Sequence, residues 1–139
     1  DNVYFGEKDF QQLRIIEHLV QKNGYKFNVI RCKTIRQNDG LALSSRNKKL
    51  DISSQNIATN LFKALSFAKK NFDTLDLEII YAKVEDLLQN FPQISVDYFA
   101  IADENDLKPI KHKNKNQKYR AFIAADISGV RLIDNIKLY

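Results

Sequence analysis

Val3-Tyr4-Phe5-Gly6-Glu7-Lys8-Asp9-Phe10-Gln11-Gln12-Leu13 carries a change of rhythm near the start of the chain. Val3, Tyr4 and Phe5 read as the end of a buried strand, and Gly6 as the turn that follows it. From Asp9 the apolar residues Phe10, Leu13, Ile16, Leu19 and Val20 fall at helical spacing. Asn23-Gly24 ends that helix. Residues 27–31 read as a second strand. Strand, helix, strand is a βαβ unit, for which a parallel sheet is expected. Gly6, Glu7, Lys8 and Asp9 then lie at the carboxyl end of a strand and the amino end of a helix, where open α/β sheets bind ligands. A helix start offers unpaired N–H groups and a positive dipole end to phosphate. A lone lysine such as Lys8 is usually just a solvated surface cation.

Residues 39–47 read Asp-Gly-Leu-Ala-Leu-Ser-Ser-Arg-Asn. Asp39-Gly40 is a turn signal. Leu41, Ala42 and Leu43 anchor the segment, and Ser44, Ser45 and Arg46 follow as two hydroxyls and a guanidinium suited to phosphate oxygens. The residue types alone favour a solvated polar loop before a helix.

Beyond Asn47 a new unit is expected, with Ser53 or Ser54 as the N-cap of its first helix. Ile57, Ala58, Leu61, Leu65, Ala68 and Phe72 share one helical face. Leu77, Ile80, Tyr81, Val84, Leu87, Leu88 and Phe91 share the face of a second helix, which Pro92 stops. Both stripes are core positions. Residues 94–102 alternate through Ile94, Val96, Tyr98 and Ala100 and read as a strand. Residues 103–117 form a polar loop, residues 119–125 a second strand, Ser128-Gly129 a turn and residues 130–138 a third strand. Two helices with a small antiparallel sheet make an α+β unit.

The chain has 139 residues, 28% of them charged, with a net charge of +5. Its pI of about 9.3 favours anionic partners such as nucleotides or nucleic acid. Part of the excess lies in the Lys- and Asn-rich residues 111–118, expected to be a solvated loop. No apolar run approaches the roughly 20 residues of a membrane span. Cys32 is the single cysteine, which suits a reducing cytoplasm. His18 and His112 lack ligand neighbours, and neither a nucleophile elbow nor a P-loop occurs. Methionine is absent and the first residue is Asp1, so a piece of a longer chain is expected.

Residues 5–13 and 39–47, taken together, resemble the pantoate–β-alanine ligase family, which carries a similar first run and, about thirty residues later, Asp-Gly-Leu-Ala-Met-Ser-Ser-Arg-Asn. Arg131 to Ile136, Arg-Leu-Ile-Asp-Asn-Ile, is similar to the family's ending. The resemblance covers the chain but only the C-terminal half of the family's usual length. It implies that residues 1–46 are the C-terminal portion of a Rossmann-like nucleotide-binding domain. Residues 47–139 would be a small α+β lid domain.

It further implies condensation of pantoate with β-alanine through a pantoyl adenylate, with ATP as substrate, Mg²⁺ assisting, and AMP and pyrophosphate released. Gly6, Glu7, Lys8 and Asp9 match the first ATP segment, with Lys8 on the phosphates. Gln12 matches a pantoate-binding glutamine, placed one helical turn beyond Lys8 and Asp9. Ile35 matches a position whose backbone meets adenine. Leu43, Ser44, Ser45 and Arg46 match a loop closing over the phosphates, so Lys8, Ser44, Ser45 and Arg46 are the expected catalytic residues.

Leu43 replaces the usual Met, Gln37 replaces a common Glu, and the family's His-x-Gly-His motif is missing. The resemblance also brings a homodimer and a cytoplasmic location, with no nucleic-acid or membrane partner. The alternatives are another adenylate-forming nucleotidyltransferase of the superfamily, or a basic RNA-binding α+β module.

Overall fold

A computed structural model describes residues 1–139, which divide into two compact units, Asp1–Ile35 and Arg36–Tyr139. In the first unit, β1 (Asn2–Gly6) and β2 (Asn28–Cys32) flank α1 (Phe10–Asn23). The strands pair in parallel, with Val3 opposite Val29 and Gly6 opposite Cys32. This is the expected βαβ unit. Phe10 and Leu13 are its buried apolar residues. Gly24 closes α1 in the left-handed region, at φ +64°, where its N–H meets the carbonyls of Gln21 and Val20.

The chain does not turn at Gly6. That residue ends β1 with extended backbone, φ −72° and ψ 133°, and a short 3-10 turn, Glu7–Asp9, redirects the chain. Glu17 on α1 then ties the helix to β2. It accepts two bonds from Arg31, at 2.6 and 2.8 Å, and one from Arg14 at 2.5 Å. Burial alone would raise the Glu17 carboxyl. The hydrogen bonds and charges of Arg31 and Arg14 outweigh it and hold the pKa below the ordinary glutamate value.

The second unit is an α+β layer pair. β3 (Ile94–Asp103), β4 (Tyr119–Ile127) and β5 (Val130–Lys137) form an antiparallel sheet in sequence order. α2 (Ile52–Asn71) packs against β4 and β5, and α3 (Leu77–Gln89) packs against β3. Leu61, Leu65, Ile80 and Val84 from the helices meet Ile101, Ile123 and Ile127 from the sheet in one core. Ala64, Ala68, Ala121 and Ala125 are also in that core, where small side chains let helix and sheet approach closely.

Three local expectations are corrected. The N-cap of α2 is Asp51, neither Ser53 nor Ser54. The Asp51 carboxylate accepts the Ser54 N–H at 2.7 Å, so Ser54 supplies the donor that the cap serves. The Ser54 hydroxyl bonds to that of Ser128.

Second, the alternation through Ile94, Val96, Tyr98 and Ala100 does not hold one face. The register shifts between Val96 and Tyr98, so that Asp97 is an extra residue. Past that bulge Phe99 and Ile101 join the core in place of Tyr98 and Ala100.

Third, residues 111–118 are exposed but partly fastened. The Lys113 ammonium donates to the carbonyls of Phe72 and Leu75, closing the end of α2, and lies over the Phe72 ring. The Asn114 N–H donates to the Tyr119 hydroxyl at 2.8 Å.

Residues 36–46 group with the second unit, eleven residues ahead of the boundary expected after residue 46. Leu41 is part of that unit's core, and Arg36 is paired within it to Asp134.

Candidate functional site

Gly6, Glu7, Lys8, Asp9, Gln12 and Ile35 belong to the first unit, and Leu43, Ser44, Ser45 and Arg46 to the second. In the first unit β1 ends at Gly6, and the 3-10 turn carries Glu7, Lys8 and Asp9 directly onto the start of α1. Lys8 therefore sits in the turn and not on the helix, so its relation to Gln12 is set by the turn and not by a helical repeat. Glu7 and Lys8 are half-buried, while Asp9 and Gln12 are exposed.

Asp9 occupies the N-cap position of α1, yet its side chain makes no capping bond. The first-turn N–H groups thus receive nothing from it. A Cβ built on Gly6 would meet nothing within 4 Å, and the backbone there is extended, so neither sterics nor torsion demands glycine. Ile35 is 71% exposed.

In the second unit the loop is built from its supports inward. Arg36 and Ala42 form an isolated antiparallel bridge, and the Gln37 N–H donates to the Leu41 carbonyl at 2.9 Å. Asp39 accepts the Leu41 N–H at 3.0 Å, a side-chain turn of the kind Asp favours. Gly40, at φ +94°, comes so near Phe62 that a Cβ would lie 2.1 Å from its ring.

Leu41 and Ala42 are buried as expected, whereas Leu43 is 49% exposed and anchors nothing. Ser44 caps a short 3-10 helix, Ser45–Lys49, its Oγ accepting the Arg46 N–H at 3.2 Å. Ser45 is exposed. One Arg46 guanidinium nitrogen, Nη1, donates to the Arg131 carbonyl at 2.9 Å. Leu43, Ser44, Ser45 and Arg46 thus form one short polar excursion with a cation at its end.

Four residues that shape this loop were not singled out in the sequence. Asn47 is buried, and its Nδ2 donates to the Ala42 carbonyl at 3.0 Å, while its Oδ1 has no donor within the chain. Gln55 binds the carbonyls of Asn47 and Leu50. Arg36 and Asp134 form a bidentate pair, with contacts of 2.6 and 2.9 Å. The available signal was Asp134 itself. A carboxylate among the apolar positions of a strand needs a counter-charge if that face is buried.

The sequence model of the family described as Pantoate-beta-alanine ligase matches residues 1–137. The chain belongs to the pantoate-beta-alanine ligase family. Within that family it is 43% identical over 137 residues to a pantothenate synthetase of Flavobacterium psychrophilum, covering 99% of this chain and 49% of the relative.

Among solved structures, a pantothenate synthetase from Thermus thermophilus superposes with a TM-score of 0.91 at 32% identity, over 99% of this chain and 50% of that one. A pantoate-beta-alanine ligase from Francisella tularensis, complexed with beta-gamma ATP and beta-alanine, gives a TM-score of 0.65 at 33% identity, over 99% and 43%. The chain spans about half the length of the curated family relatives it matches. No helix is long and apolar enough to cross a membrane.

Proposed function

We propose that this chain supplies part of the site for ATP-dependent condensation of pantoate with β-alanine, corresponding to the C-terminal half of the family's proteins. The observation that carries the reading is the family match, which runs through both candidate segments, over residues 1–137. It favours this reading over another nucleotidyltransferase and over an RNA-binding module. Residues up to the loop would serve the nucleotide-binding domain and the α+β unit its lid. A homodimer and a cytoplasmic location come with the family.

In the proposed chemistry a pantoate carboxylate oxygen attacks the α-phosphorus of ATP. A phosphorus–oxygen bond forms, the bond to the bridging oxygen breaks, and pyrophosphate leaves with that electron pair. The β-alanine amine then attacks the acyl carbon, AMP departs, and the nitrogen gives up a proton. Both steps gather negative charge near an existing polyanion, so cations and preset donors lower the barrier.

Lys8 would face the phosphates from the turn at the amino end of α1. Ser44, Ser45 and Arg46 would donate from their loop. The single bond from Arg46 to Arg131 leaves further guanidinium N–H groups for phosphate oxygens. Gln12 would hydrogen-bond pantoate, and Asp9 and the Ile35 backbone would contact the nucleotide. The chain has no cluster of three or more His, Cys, Asp or Glu side chains able to hold a metal ion. Mg²⁺ would assist by neutralising charge on the phosphate oxygens of the nucleotide.

The test is Lys8→Ala in the protein that contains this chain and the family's remaining length. Isotope exchange between pyrophosphate and ATP should fall by roughly a hundredfold or more, while ATP binding weakens far less. An unchanged exchange rate would remove Lys8 from the site.

A further inference from the structure

We infer that Arg36 is the positioning residue of the loop carrying Ser44, Ser45 and Arg46, and that it acts through Asp134. The inference rests on the nucleotide reading above and adds to it a part that touches no substrate. Arg36 spends its guanidinium on three separate pieces of the second unit. Nη1 donates to the Gly40 carbonyl at 3.0 Å and to Asp134 Oδ2 at 2.6 Å. Nη2 donates to Asp134 Oδ1 at 2.9 Å and to the Asn135 carbonyl at 3.2 Å. Its Cζ stands 4.2 Å from the centre of the Phe62 ring on α2. One side chain thus locks the Gly40 turn to β5 and to α2.

The far side of the pair is equally fixed. The Asn135 N–H donates to Asp134 Oδ1 at 2.8 Å. The Asn135 side-chain oxygen accepts from Arg120, whose Nε pairs with Glu104 at 2.7 Å. Asp134, Asn135, Arg120 and Glu104 are all buried.

The loop hangs from this frame. Arg36 bridges Ala42, and the Ala42 carbonyl accepts from Asn47. Residues 43–46 are therefore an excursion pinned at both ends to Ala42, which the Arg36 backbone bridges and whose approach the Arg36 side chain fixes through the Gly40 carbonyl two residues earlier. Stability alone does not ask for this arrangement. A buried ion pair is often matched by apolar residues of similar volume. What the pair adds is direction, because a planar fork bound to a carboxylate fixes orientation, whereas a lysine would supply only a point charge. Transfer at phosphorus is sensitive to placement, and an error of about 1 Å can slow a reaction roughly a hundredfold.

The experiment is Arg36→Lys in the protein with the family's full length, read in two ways. Amide hydrogen exchange at Leu41, Arg46 and Asn47 should accelerate by about tenfold, while amides of α2 and β4 keep their protection. In pyrophosphate–ATP exchange, kcat should fall by roughly a hundredfold while the KM for ATP changes less than about threefold. Unchanged protection of the loop overturns the inference. Protection lost evenly over the unit also overturns it, since the pair would then merely hold the fold. A raised KM with unchanged kcat would assign the loop to ground-state binding and likewise count against it. Should Arg36→Lys fail to fold, Asp134→Asn keeps the shape of the partner and decides by the same two readings. If the unsubstituted protein shows no exchange chemistry, the nucleotide reading falls, and the hydrogen-exchange pattern still judges the positioning of the loop.

Discussion

The fold requires glycine at position 40 and does not require it at position 6. At Gly40 the backbone is left-handed, φ +94°, and a Cβ would collide with the Phe62 ring. Gly40→Ala should destabilise the second unit by about 2–5 kcal/mol, combining torsional strain with overpacking. A denaturant titration measures this, and a loss under about 1 kcal/mol would show that Phe62 moves aside freely. At Gly6 neither constraint exists, so Gly6→Ala should melt like the parent yet bind an ATP analogue more weakly by calorimetry. Equal binding would mean that nothing approaches the backbone there. The sequence disclosed both glycines as turn signals. It could not show that one is held by a ring 22 positions away, or that the other lies in a strand. Arg36 was hidden for the same reason, because its partner Asp134 is remote in sequence and adjacent only after β5 is folded.

Elements were more legible than their ends. Periodicity located the three helices, since a helix with one buried face must repeat its apolar residues at its own spacing, whereas the five strands were marked by short apolar runs between turn signals. Caps and bulges depend on which of several competent residues wins. Asp51 outcompetes Ser53 and Ser54 by standing where its oxygen meets the Ser54 N–H. The joint between α1 and β2 yields a pH prediction. Arg31 and Arg14 hold the Glu17 carboxyl below its ordinary value, so the folded state binds fewer protons than the unfolded chain. Its contribution to stability is complete above the ordinary glutamate pKa and disappears as pH falls through the lower folded value. Amide protection of α1, followed from about pH 5 to pH 3, should fall more steeply in the parent than in Glu17→Gln. Identical profiles would assign the acid response to other carboxylates.

For the whole molecule, the packed cluster that runs from Leu41 to Leu138 draws on no residue of the first unit. A piece comprising residues 36–139 should therefore unfold cooperatively and give dispersed amide spectra by itself. Residues 1–35 alone should not, because two strands and one helix fall below the roughly 40 residues at which domains stand unaided. Dispersed spectra from the short piece, or a non-cooperative melt from the long one, would contradict this division. The bulge at Asp97 bears on how such a sheet can vary over evolutionary time. A side chain's face is decided by counting residues, so losing one residue within a strand exchanges inside and outside for everything beyond it. Position 97 is different. Ile94 before the bulge and Phe99 and Ile101 after it pack on the core, and removing Asp97 would put all three on one face of a regular strand. Excision there would forfeit the ion pair between Asp97 and Arg131 but leave Ile94, Phe99 and Ile101 facing inward. The sheet thus keeps one place where the gene can shorten by a codon without scrambling the hydrophobic face.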